Sequence, residues 1–173
     1  MIERHGAVCL RLLAVALVAA LAGCALRVAP PGEEQPELHL SAAAQTGDAT
    51  RRASMRLLLQ GLDADAAGRT NAALSSYERA IQIDSTNPYA YLTLARHEVE
   101  AREWDRASEA LDQAALLFGE EGGPGAEAHL DGLRGAVAAG KGYGADAEPL
   151  LERASQLAPA AWADGALSAE ELR

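Results

Sequence analysis

Sliding residues 54–87 forward by 34 places lays Gly61, Ala73, Tyr77 and Ala80 on Ala95, Ala107, Leu111 and Ala114. A period of this length constrains the fold more than any other feature. Each copy is too short to bury its own apolar face, so the copies must stack. Within each copy the apolar and small positions recur every three or four residues, the spacing of one face of a helix. Small residues at the first two positions let two helices approach closely, and the large third residue fills the gap between pairs. Composition agrees. The 173 residues hold one Phe, two Trp and four Tyr, and Ala and Leu, good helix formers, dominate. No β-branched run occurs beyond the first 30 residues, which argues against a sandwich, a barrel or a parallel-sheet enzyme. A net charge of −10 argues against a nucleic-acid binder, which needs a basic face.

The repeated positions resemble the tetratricopeptide repeat, which is small at position 8, small at 20, large and apolar at 24 and small at 27. The resemblance implies an all-α fold, a short α-solenoid of two clear helix hairpins (54–87 and 88–121) and a degenerate third (128–161), within a domain spanning 50–159. In the second copy Tyr91 and Leu94 stand at positions 4 and 7, Trp104 at 17, and Pro88 opens the first helix, where its missing N–H costs nothing. Gly68 and Arg102 fall where the two helices of each hairpin turn. Gln60, Glu98, Ser85 and Gly119 depart from the pattern. In the third copy Leu130, Leu133 and Val137 read as the first helix, and Ala147, Leu151, Ala154 and Pro159 as the second. The halves fit with one extra residue in the stretch 140–144, after an inserted loop EEGGPG at 120–125. Ser168 and Glu171 can cap a last short helix in a capping segment, 160–173, where Trp162 is expected to cover the end of the stack.

In this family the concave face comes from positions 2, 5, 6, 9, 12 and 13 of each first helix. That places Met55, Leu58, Leu59, Leu62, Asp65 and Ala66 beside Tyr89, Leu92, Thr93, Arg96, Val99 and Glu100. The expected partner groove is Met55, Leu58, Leu59, Leu62, Tyr89, Leu92, Arg96 and Val99. The Lys and Asn that clamp a peptide carboxylate in chaperone-type repeats are replaced here by Leu58, Leu62, Leu92 and Arg96. An apolar groove of this kind suits an amphipathic helix or extended apolar segment of another protein. The competing reading is that residues 41–53, a plausible helix, cover it.

The first 24 residues read as an address. Arg4, His5 and Arg11 precede an uncharged stretch, LLAVALVAALA, at 12–22. Eleven helical residues span about 16 Å, half of a bilayer core, so this is a cleaved signal peptide, 1–23. Leu21-Ala22-Gly23-Cys24 resembles the lipobox of bacterial lipoproteins. The resemblance implies a diacylglyceryl thioether and further acylation at Cys24, with palmitate among the chains. Ala25 in place of Asp implies outer-membrane sorting, with the body facing the periplasm. Residues 24–49 hold three prolines and no sustained period, and read as a disordered tether, although Leu38 and Leu40 could fold back onto the body.

Little in the chain suggests chemistry. His97-Glu98 opens a zinc-protease pattern whose second His is missing, because position 101 is Ala. Asp63 and Asp65 lack the remaining ligands of a calcium loop. Gly140, Gly142 and Gly144 read as a helix connection, since no strand precedes them. No catalytic residue, metal site or cofactor is expected, and no small-molecule substrate. The expectation is a non-enzymatic interaction scaffold that holds another envelope protein. The resemblance points toward secretin or type IV pilus biogenesis in a pilotin-like role, toward outer-membrane protein insertion, or toward regulation of cell-wall enzymes.

Overall fold

The structure, a computed structural model, describes residues 38–173. The residues read as a signal peptide, Cys24 and the first part of the stretch read as a tether lie outside the described residues. Within them the chain is all helical and contains no strand. A short helix α1 (Leu40–Ala43) leads into three antiparallel hairpins: α2 (Ala49–Ala66) with α3 (Thr70–Ile83), α4 (Pro88–Glu100) with α5 (Trp104–Phe118), and α6 (Gly123–Gly140) with α7 (Gly144–Leu157). A last short helix, α8 (Ala169–Leu172), follows an irregular stretch. Each hairpin packs on the next, giving a short helical solenoid.

The hairpin turns show why the chain reverses where it does. Gly68, Arg102 and Gly142 all have positive φ. The residue after each sends its N–H back five residues: Arg69 to the Ala64 carbonyl, Glu103 to Glu98 and Tyr143 to Ala138, each at 2.8 Å. This is the Schellman closure, which satisfies carbonyls that the helix end would leave open. Helix starts are capped as well. Asp48 accepts the Arg51 N–H at 2.8 Å, and Asn87 accepts the Tyr89 N–H at 3.2 Å with Pro88 in the first turn.

Four details differ from the sequence reading. The first helix of the first hairpin begins at Ala49, five residues before the repeat frame, because Asp48 is a better cap than anything nearer Ser54. The extra residue read into 140–144 is absent. Gly142 lies 40 residues after Arg102, which is the 34-residue period plus the six of EEGGPG, and the same offset carries Ala95 to Gly135, Ala107 to Ala147 and Leu111 to Leu151. The inserted loop is itself partly helical, a 3-10 turn over Gly119–Gly122 running into α6 at Gly123. The tether read over 24–49 is shortened at its far end: Leu38 is half-buried and Leu40 fully buried against the body, because both gain more by leaving water than the short segment loses in freedom.

Packing follows the period. Gly61 faces Tyr77 so closely that a Cβ would lie 2.1 Å from the ring, and at Gly135 it would lie 2.8 Å from Leu151 Cγ. Position 8 is thus small wherever position 24 is large. Tyr77, Leu111, Leu58, Leu92 and Leu133 belong to a single apolar cluster running the length of the stack.

Candidate functional site: the inner face of the stack

The first helices α2, α4 and α6 present their positions 2, 5, 6, 9, 12 and 13 on the inner face, and this face is occupied. Met55, Leu58, Leu62 and Leu92 are fully buried, Arg96 is 3 % exposed, and Leu59, Tyr89 and Val99 are half-buried. The apolar stripe expected as an open groove is closed in this structure, because both ends of the described chain lie over it. Leu40 from α1 and Leu172 from α8, each fully buried, join Met55, Leu58, Leu62 and Leu92 in one cluster, and α1 and α8 both pack on α2. The cover anticipated from residues 41–53 is therefore of a different make. Residues from Ala49 onward belong to the first hairpin itself, and the C-terminal segment supplies the other half.

Polar contacts fasten the cover. The Ser41 N–H donates to the Arg173 carbonyl at 2.7 Å, and the Arg173 guanidinium pairs with Asp63. Ser168 and Glu171 form a reciprocal capping box at 3.1 and 2.7 Å. At the other end Trp162 lies on the inner face of α6, not at the open end of the stack. Its ring rests on Gly132, where a Cβ would come within 2.2 Å, and its indole N–H donates to His129 Nδ1 at 3.1 Å. Burial holds the His129 imidazole down at about 4, although the Leu38 backbone and Glu171 pull the other way. It is therefore neutral at pH 7, with Nδ1 as the acceptor that the Trp162 N–H requires.

Between these two anchors residues 164–166 and 168 are exposed, while Leu167 is buried in the apolar cluster. The stretch leaves a cavity of about 490 Å³ over Ala66, Val99, Leu133 and Ala136. Those are positions 13, 12, 6 and 9 of successive first helices.

Beside the cavity lies the most heavily used carboxylate of the described chain. Asp65 accepts the Tyr77 hydroxyl at 2.8 Å, the Arg96 guanidinium, and His97 Nδ1 at 3.0 Å. Burial pushes the Asp65 carboxyl up, but the hydrogen bonds from His97 and Tyr77 and the Arg96 charge outweigh it and hold it below the usual range. His97 Nδ1 thus faces an ionised carboxylate and acts as donor. Burial also raises the Tyr77 hydroxyl, reinforced by the Asp65 charge. The His97-Glu98 pair that opened a zinc pattern is spent on packing. His97 is tied to Asp65, and Glu98 is buried with the Arg106 guanidinium 2.7 Å away, its carboxyl pushed up by burial against that attraction. Among the described residues no cluster of His, Cys, Asp or Glu could hold a metal ion, and no helix is long and apolar enough to cross a membrane.

The residues that sequence reasoning missed are those of the stretch 164–168 and its anchors. Of these, the sequence alone puts Trp162 at the end of the stack rather than on the inner face, and the capping box at Ser168 and Glu171 marks a helix without saying where the helix docks. No curated protein matches the chain. Proteins built on this kind of repeat typically bind other proteins on a frame without catalytic chemistry. Residues 66–121, from the first hairpin turn to the end of the second hairpin, match the Tetratricopeptide repeat family.

Proposed function

We propose that this protein is a lipid-anchored interaction scaffold of a bacterial outer membrane, which holds another envelope protein against the inner face of its helix stack on the periplasmic side. One observation supports the binding half of this reading. The inner face is already complementary to a short segment of chain, since residues 162–173 lie along it and bury Trp162, Leu167, Ala169 and Leu172. A surface that accepts one such segment has the shape and apolar character to accept another. The anchoring half rests on Leu21-Ala22-Gly23-Cys24 and on Ala25.

Two measurements test it. Metabolic labelling with palmitate should mark the wild-type chain and be lost in Cys24→Ser; label surviving in the variant refutes the anchor. A photo-crosslinking amino acid placed at Ala66 or Glu100, exposed residues on the inner face, should capture an envelope protein in living cells. The same residue at Glu109, exposed on a second helix of the stack, should not. Capture from Glu109 alone overturns the choice of face.

A further inference from the structure

The cavity under residues 164–168 has a composition that selects its occupant. Four carboxylates line it, from Asp65, Glu100, Asp164 and Glu170, against one cation, Arg96. Apolar wall comes from Val99, Leu133 and Trp162. Arg96 supplies an independent sign of a missing partner. It is 3 % exposed, its Nη2 donates to Asp65 and its Nη1 to Glu100 at 2.9 Å, yet its Nε–H is buried with no acceptor. A buried donor left open costs free energy that an incoming acceptor restores. The cavity and the Arg96 that lines it therefore bring together an excess of negative charge, an apolar wall and one unfilled donor. A backbone carbonyl fills the donor, a methylene stem suits the wall, and an ammonium or guanidinium group meets the carboxylates.

We propose that this cavity binds a basic side chain, lysine or arginine, and its adjoining backbone, from the partner's peptide segment. The charged head sits among Glu100, Asp164 and Glu170, the stem lies along Val99, Leu133 and Trp162, and the neighbouring carbonyl accepts from Arg96 Nε–H. Asp65 is fully engaged by Tyr77, His97 and Arg96 and contributes field rather than a contact. The stretch 164–166, exposed between the buried Trp162 and Leu167, moves outward to admit the segment. This deepens the proposed scaffold role and rests on the inner face being the partner site.

The test uses the full-length chain carrying Trp104→Phe, so that Trp162 is the remaining indole. It is titrated with an acetylated, amidated peptide Ala-Leu-Lys-Leu-Ala, with its norleucine-for-lysine analogue and with its glutamate analogue. The lysine peptide should shift the Trp162 emission saturably. The norleucine peptide should bind about tenfold more weakly and the glutamate peptide should give no shift. Glu100→Gln with Glu170→Gln, both at exposed positions, should weaken the lysine peptide about fivefold, with the thermal midpoint lowered by no more than the loss of the Arg96–Glu100 pair allows. Ala136→Leu, which fills the cavity without changing charge, should abolish the shift. If that variant melts early, the paired glutamine variant decides alone. Equal binding of the lysine and norleucine peptides, or no response to the lysine peptide at millimolar concentration, overturns the proposal. Capture from Ala66 and Glu100 without any peptide response sinks the cavity and leaves the scaffold standing; a peptide response without capture does the reverse.

Discussion

Gly61 and the ring of Tyr77 occupy one another's space so fully that a methyl group on Gly61 would lie 2.1 Å from the ring's Cε1. Tyr77 cannot step aside, because it is fully buried and its hydroxyl is held by Asp65. Gly61→Ala should therefore destabilise the fold by about 1–3 kcal/mol through overpacking, despite the better helix propensity of Ala. Gly135→Ala should cost less, since the Leu151 side chain it meets is half-exposed and can rotate. Chemical denaturation of the two variants checks both. An undiminished midpoint in Gly61→Ala means that α2 and α3 do not pack as described.

Arg102 does with a side chain what Gly68 and Gly142 do without one. Its φ is +62, in the left-handed region that L residues avoid, while its two counterparts are glycines. Arg102→Gly should stabilise the protein by about 0.5–1 kcal/mol, the relief of strain less the extra freedom of glycine in the unfolded chain. Gly142→Ala should destabilise it by a similar amount. Thermal melts that shift up by a few degrees for the first and down for the second satisfy the expectation.

Tyr77→Phe removes one of the donors to the Asp65 carboxylate and leaves the others in place. It should cost about 1 kcal/mol. Asp65→Ala takes away the shared acceptor and strands the buried Arg96, and should cost about 3–5 kcal/mol. In the double variant the Tyr77→Phe increment should disappear, because the hydroxyl has no carboxylate left to serve. Additive losses contradict the shared network.

The repeat frame of these helices was open to reading because position 8 and position 24 are paired across each hairpin: Gly61 with Tyr77, Ala95 with Leu111, Gly135 with Leu151. Such pairs are local in sequence and their spacing survives inspection. The third copy was read one residue out of frame because Leu130, Leu133 and Val137, the obvious apolar residues, sit off the family's large positions, whereas Gly135 and Gly142 keep the frame. A cover on the inner face was legible, but the segments that form it were only partly so. Leu38, Leu40, Leu167 and Leu172 are isolated apolar residues in short segments, without a period to say which surface they meet. Their docking is decided by a face assembled from three separate helices.

Stability should fall with pH in a window set by His129. Its neutral form is required by the Trp162 hydrogen bond, and its folded value, about 4, lies below the ordinary 6.5. A group whose folded value is lowered binds fewer protons in the folded state, so stability is complete above 6.5 and drains away as pH drops toward 4. The difference amounts to roughly 3 kcal/mol. His129→Gln keeps an acceptor for Trp162 and does not titrate, so the slope between pH 6.5 and 4 should flatten. A slope identical to wild type assigns the proton uptake elsewhere.

The hydrogen bond from Ser41 to the carbonyl of Arg173 brings the start and the finish of the described chain to one spot. Traction applied through the residues before 38 is transmitted first to the clasp and only afterwards to the hairpins. In a protein hung by that end, mechanical load would be sensed where the inner face is covered, so pulling on the chain and uncovering that face become a single event.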